Sequence, residues 1–173
     1  MGGRASVARG LGSLPPVVAD ASVLIGLSQI GRLPLLADLF GTVLVPPAVV
    51  REAVGTVGRQ PWLIERPLAH PLPTPLLRSQ LGPGETEVIG LALELGRRVV
   101  ILDERAGRRL ASRLGLDVVG TIAVLLEAKR RGHLAVRPEL DALLSTGFFV
   151  SPALYRQVMA RSGEEIGDEV DSD

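Results

Sequence analysis

What the sequence lacks narrows its chemistry before any motif is read. Cysteine is absent from the 173 residues, which excludes a disulfide scaffold and a zinc site of the finger or ribbon type. Only two histidines occur, His70 and His133, and they lie far apart in the chain, so a histidine-rich transition-metal site is excluded too. Any metal must be held by oxygen. Five aromatic residues are too few for base stacking to be the main device for nucleic acid. Lys129 is the sole lysine and no Gly-Lys-Ser/Thr occurs, which removes a phosphate-binding P-loop. A phosphoacceptor receiver domain also fails, for want of an acidic pair at the first strand end and a suitable lysine.

Long apolar runs are missing as well. Residues 17–30 are interrupted by Asp20, Ser22, Ser28 and Gln29, and fall short of the roughly 20 residues that span a bilayer. Arg4 and Arg9 precede an apolar stretch, but Pro15, Pro16 and Asp20 break the pattern of a signal peptide. No membrane association is expected, and a cytoplasmic location is.

Net charge is zero, from 19 basic and 19 acidic side chains, and that excludes a strongly basic protein that coats nucleic acid. The balance hides a pattern. Residues 162–173 carry six acids (Glu164, Glu165, Asp168, Glu169, Asp171, Asp173) and no base, leaving 19 basic against 13 acidic residues elsewhere. Residues 97–137 hold ten bases against four acids. Such blocks are either solvated faces or binding surfaces. With 46% apolar residues, the rest suits a single domain over 15–161, with a disordered leader at 1–14 and an acidic, frayed tail at 162–173.

Strand and helix signals alternate through that domain. Residues 16–20 read as a buried strand ending in a carboxylate, 21–30 and 33–40 as helices, and 42–45 as a β-branched strand closed by Pro46-Pro47. A helix follows at 47–54 with proline in its first turn, then a long proline-rich loop over 55–75 around Trp62. Residues 84–95 form a helix, 98–102 a strand, 104–114 a helix and 116–119 a strand. Helices are expected at about 121–131, 137–146 and 152–161, so that residues 116–161 make a C-terminal helical extension. Alternation of this kind predicts an α/β fold, a parallel sheet of about four strands covered on both faces.

In such a sheet, ligands bind at the carboxyl ends of the strands. Asp20 and Asp103 each follow an apolar strand run and belong on that edge. A 12-residue helix descends about 18 Å and a five-residue strand climbs about 17 Å, which returns Asp103 to the level of Glu85. Glu52, in the second turn of its helix, is the fourth acid near the edge. Each acid also has a plainer reading: Asp20 and Asp103 as helix caps, Glu85 as a partner of the helix dipole, Glu52 as a solvated side chain. Jointly the plain readings weaken, because crowded carboxylates repel unless a cation compensates them. Mg²⁺ suits such a place, since it takes a few carboxylates and keeps several waters.

The segments that carry these acids resemble PIN-domain nucleases. Val18-Ala19-Asp20-Ala21-Ser22 resembles their opening Asp-x-Ser motif, and residues 45–52, ending in Glu52, their second acidic segment. Gly84-Glu85-Thr86-Glu87-Val88-Ile89-Gly90-Leu91-Ala92 resembles the Gly-Glu-x-Glu helix of one subgroup. Ile101-Leu102-Asp103-Glu104-Arg105 with Arg109 resembles its next strand end, and Val118-Val119-Gly120-Thr121 with residues 125–132 its C-terminal extension.

The resemblance implies a three-layer α/β/α nuclease that uses Mg²⁺ or Mn²⁺ on RNA. Asp20, Glu52, Glu85 and Asp103 match the family's catalytic acids, with Asp20, Glu85 and Asp103 as metal ligands and Ser22 as the hydroxyl beside the first of them. Glu87 competes with Glu85 for that role, about 200° around the helix, and Glu104 is a possible fifth acid. Thr121 is read first as a helix cap and second as a phosphate contact. Arg105, Arg108 and Arg109 are placed to bind RNA phosphates. Similarity to VapC-like toxin ribonucleases further implies a homodimer and a small antitoxin protein. Apolar surface on the helices of residues 24–40 is available for such pairing or for the core. The alternative is a catalytically inactive PIN-like interaction module that binds a small protein partner.

Overall fold

A computed structural model describes residues 15–164. The leader at 1–14 and the tail acids from Glu165 onward lie outside the described residues. The elements in order are β1 (Val17–Ala19), α1 (Ala21–Gln29), α2 (Leu35–Phe40), β2 (Val43–Val45), α3 (Pro47–Val57), β3 (Leu63–Glu65) and α4 (Thr74–Leu77). They are followed by α5 (Pro83–Glu94), β4 (Val99–Ile101), α6 (Arg105–Arg113), β5 (Asp117–Val119), α7 (Thr121–Arg130), α8 (Val136–Ser145) and α9 (Pro152–Ser162).

All strand pairings are parallel, in the order β3-β2-β1-β4-β5. The strands β1 and β2 are buried throughout, and β4 nearly so. Their unbroken Val, Leu, Ile and Ala runs are what a sheet covered on both faces requires. From β1 the chain winds outward through β2 to β3, then returns to the other side of β1 and winds through β4 to β5. The reversal places a topological switch point between β1 and β4, the crevice where open α/β sheets bind ligands.

The expected sheet of about four strands has five. The added strand, β3, falls within the segment read as a loop over 55–75, and the single turn α4 begins at its end. Two physical reasons account for the omission. As an edge strand, β3 is half-exposed and so lacks an apolar run, and Pro61 and Pro67 flank it, as prolines do at sheet edges. The helices of residues 24–40 give most of their apolar side chains to the core: Leu24, Leu27, Leu36 and Leu39 are buried, and Ile25, Ile30 and Phe40 are partly buried.

The C-terminal helices close a smaller core of Val136, Leu140, Val150, Val158 and Met159. Two ionic contacts anchor them. Arg32 grips Glu139 of α8 with two hydrogen bonds (2.9 and 2.7 Å). Glu164, grouped by composition with the frayed tail, instead accepts from Lys129 Nζ and from the first backbone N–H groups of α8, Val136 (2.7 Å) and Arg137 (2.8 Å). Although burial opposes its charge, these donors hold the Glu164 carboxyl down to about 2. No helix among the described residues is long and apolar enough to cross a membrane.

Candidate active site

The first acid is placed by the end of β1. Asp20 N donates to Ile101 O (2.9 Å), which carries the β1–β4 pairing one residue past the strand. Asp20 occupies the N-cap position of α1, yet its side chain makes no cap bond. The buried carboxylate accepts instead from Ser22 Oγ at 2.9 Å. Its other oxygen lies against the first turn of α5: a Cβ at Gly84 would stand 3.2 Å from Asp20 Oδ1 and 3.0 Å from Glu52 Oε2. Glycine at this position leaves room for two carboxylates from β1 and α3 to share one place.

Glu85, the next residue of α5, reaches toward α6. Its Oε2 accepts from Gly82 N (3.3 Å), and its Oε1 is buried with no hydrogen-bond partner. Opposite it is Gly107 of α6, where a Cβ would stand 2.5 Å from Glu85 Oε1. Asp103 follows β4. Thr121, the first residue of α7, donates to both of its oxygens, N to Oδ1 at 2.8 Å and Oγ1 to Oδ2 at 2.6 Å.

Charge binds the four acids into one cluster. Burial raises the carboxyls of Glu52, Glu85 and Asp103 above their ordinary values, and the charge of Asp20 raises each of them further. Opposing cations are few: Arg51 acts on Glu52 and Arg108 on Asp103. All the candidate ligand atoms are hard oxygens, and the buried Glu85 Oε1 has only the backbone of Gly107 beside it. The set therefore fits a divalent cation in chemistry. Among the described residues, no three acids or histidines stand close enough to grip an ion unaided.

Of the expected supporting residues, Glu87 and Thr121 are committed to neighbours. Glu87 Oε2 accepts from Ala48 N at 2.9 Å and so caps α3 from the neighbouring helix. Thr121 is not the cap of α7, a position held by Gly120, and its hydroxyl is spent on Asp103. Asp103 does not cap α6 either, since Glu104 occupies the N-cap position without a side-chain bond. Glu104 is exposed and adds its charge to Glu85.

The arginines divide. Arg108 donates through Nη1 to Leu102 O (3.0 Å) and is half-buried. Arg105 and Arg109 are exposed, one turn apart on α6, and Arg113 extends the row. None of these three has an ion pair among the described residues. By contrast Arg130 and Arg131 are taken up by Glu127, and Lys129 by Glu164. The free part of the basic block therefore begins beside the acids.

Sequence reasoning named Ser22 beside Asp20, and it did not name the glycines that make room around the acids. Gly84, Gly107 and Gly120 each open space for a charged side chain; Gly84 and Gly120 stood within motifs, and Gly107 did not. Comparison with known proteins bears on the whole arrangement. No curated protein and no solved structure matches the chain. A family model described as a PIN domain matches residues 16–164, from the residue before β1 to the Glu164 anchor. With acids from β1, α3, α5 and the end of β4 gathered at the switch point of a parallel sheet, the chain belongs to the PIN-domain family of nucleases.

Proposed function

We propose that the chain is a Mg²⁺- or Mn²⁺-dependent ribonuclease that acts as the toxin of a toxin–antitoxin pair. The single observation that carries the catalytic reading is the placement of the acids at one sheet edge: Asp20 and Glu52 both lie against Gly84, Glu85 follows it, and Asp103 stands just past the strand that pairs with β1. A cluster of like charges is costly to keep without a cation. Asp20, Glu85 and Asp103 would hold the ion and Glu52 would act through water. The ion would acidify a bound water and neutralise charge on the leaving oxygen.

The chain's own residues supply the rest. Ser22 donates to Asp20, and Thr121 to Asp103. Arg105 and Arg109, with Arg113 beyond them, bind backbone phosphates, which gives salt-dependent affinity without reading sequence. Arg108 adds its charge close to Asp103. In the reaction, water oxygen bonds to phosphorus, the bond to the leaving ribose oxygen breaks, and that oxygen gains the proton. Neither a histidine nor a cysteine nucleophile is needed.

The toxin role, the cytoplasmic location, the homodimer and the small antitoxin rest on the resemblance to toxin ribonucleases. A second reading, an inactive interaction module, is favoured by a groove of Val49, Val54, Val57 and Leu63 beside the edge strand β3. Incubation of the purified chain with labelled RNA and Mn²⁺ separates the two. Under the nuclease reading, cleavage requires metal and is lost with EDTA, in Asp20→Asn and in Asp103→Asn. Cutting that survives chelation, or that is equal in both variants and wild type, overturns it. A folded chain that never cuts yet forms a metal-independent protein complex is the outcome of the second reading.

A further inference from the structure

Thr121 is the side chain at the sheet edge most fully committed to a neighbour. It has no exposed surface, and it turns both of its donors on a single carboxylate 18 residues earlier in the chain. Threonine at the start of a helix usually caps that helix or bonds back to a carbonyl one turn earlier. Here Gly120, in extended backbone (φ −107°, ψ 174°), takes the N-cap position, and the hydroxyl is released for Asp103. Asp103 thereby becomes an external cap on α7, receiving a backbone N–H where the helix dipole favours negative charge.

Two more groups close this arrangement. Arg108 spans from α6 to Leu102 O, beside the Asp103 carboxylate. Gly120 makes the space for it: a Cβ there would collide with Arg108 Nη1 and lie 3.0 Å from Asp103 Oδ1. Ser22 serves Asp20 through one local bond, whereas Asp103 is held by a helix that belongs to the C-terminal extension.

We propose that Thr121 is a positioning residue of the nuclease site: from the first turn of α7 it fixes the orientation of the Asp103 carboxylate, which makes the C-terminal helices part of the site rather than an appendage. The proposal rests on the metal-dependent nuclease reading. Partners that orient a metal-binding side chain typically contribute about 10–100-fold in metal affinity or activity. The hydroxyl and the N–H of Thr121 are such partners. Val124 and Leu125 of α7 are buried in the main core and Ile122 packs on the C-terminal one, so the helix that bonds Asp103 is tied to both.

Thr121→Val keeps the shape and removes the hydroxyl, while Thr121→Ser restores the hydroxyl. Gly120→Ala leaves Thr121 intact and disturbs the same carboxylate from the other side. The readouts are Mn²⁺ affinity by calorimetry on the full chain, RNA cleavage, and denaturation midpoints with and without Asp103→Asn. The expected result is about 10–100-fold weaker Mn²⁺ binding in Thr121→Val, near-wild-type binding in Thr121→Ser, and a comparable loss in Gly120→Ala. The stability cost of Thr121→Val should shrink in the Asp103→Asn background. Wild-type Mn²⁺ affinity in folded Thr121→Val overturns the proposal, and so does equal damage from Thr121→Ser. Should Thr121→Val fail to fold, normal Mn²⁺ binding by Gly120→Ala overturns it instead. A wild-type chain that neither binds Mn²⁺ nor cuts RNA overturns the nuclease reading, and the Thr121–Asp103 coupling in denaturation still reads the contact on its own.

Discussion

Gly107→Ala separates stability from cleavage. Gly107 lies inside α6 and is not among the glycines with positive φ, so alanine suits its backbone. In a helix interior alanine is favoured over glycine by about 0.8–1 kcal/mol. Against that gain stands the new Cβ, 2.5 Å from Glu85 Oε1 and 3.3 Å from Glu85 Cδ. Optimal separation of such atoms is about 3.5 Å, so the carboxylate must retreat by roughly 1 Å. That carboxylate ends a flexible side chain, and forcing it off its rotamer costs about 0.5–1.5 kcal/mol. The two terms nearly cancel, and the expected net change lies within about 1 kcal/mol of zero. In a domain of this size that is a shift of no more than about 2–4 °C in Tm. Cleavage has no such compensation, since a misplacement of about 1 Å at a reacting centre costs about 10²-fold. Gly55→Ala in α3 is the control: nothing lies within 4 Å of its added Cβ, so it gains the same helix preference without moving an acid. Thermal unfolding and initial rates of RNA cleavage in Mn²⁺, measured well below both midpoints, give the comparison. Equal cleavage by Gly107→Ala and Gly55→Ala would refute the placement of Glu85 in the site.

Stability should also report the charge cluster. Burial and Asp20 hold the folded-state values of Glu52, Glu85 and Asp103 above the ordinary 4.5, 4.5 and 3.8. Their contribution to stability is therefore full below those ordinary values and is lost as pH rises through the folded ones. At neutral pH the metal-free cluster costs stability, so Glu85→Gln should raise Tm without metal, by an amount that fades toward pH 4.5. Mn²⁺ at 100 times its Kd should stabilise the wild type by about 2.7 kcal/mol, and an unchanged Tm in both experiments would count against the cluster. Glu164 behaves oppositely, with a folded value of about 2 against an ordinary 4.5. Its stabilisation is present above pH 4.5 and disappears toward pH 2, so Glu164→Gln should lower Tm at neutral pH, with the gap closing over that interval in acid unfolding. Glu87→Ala removes the cap on Ala48 and should cost about 1 kcal/mol; a greater than tenfold loss of cleavage in the still-folded protein would return Glu87 to the list of ligands.

How much of the fold could be read in advance follows from where burial is symmetrical. The central strands announce themselves because helices cover both faces, so Val17-Val18-Ala19 and Val43-Leu44-Val45 are apolar without alternation. The helix ends were legible wherever chemistry marks them. Ser151 accepts from Leu154 N (3.2 Å), Pro152 opens α9, and Gly163 closes it in the left-handed region. The edge strand β3 carries no such mark. Leu63 is half-buried, and Ile64 and Glu65 face solvent, because β3 has a neighbour on one side only. Its three residues are specified by pairing with β2, and pairing leaves no trace in a local window of sequence.

The site divides along the same line. Asp20 and Asp103 were legible because each directly follows a strand that sequence identifies, and strand ends of a parallel sheet share an edge. Glu85 and Glu87 could not be separated by spacing, since a 200° difference around a helix names two faces without saying what each one meets. Only the neighbours distinguish the two faces: Ala48 N of α3 donates to Glu87 on one, and Gly107 of α6 lies against Glu85 on the other. Thr121 was misread for a related reason. A threonine after glycine at a helix start has a sufficient local explanation, and capping would have satisfied it. What redirects it is a carboxylate brought by β4, whose burial leaves Asp103 in need of donors that only α7 can supply. Residues that carry charge are visible in the sequence by type, whereas those that hold the charge in place are fixed by elements distant in the chain. The glycines are the extreme case, because their contribution is the volume that they leave empty for Glu52, Glu85 and Arg108.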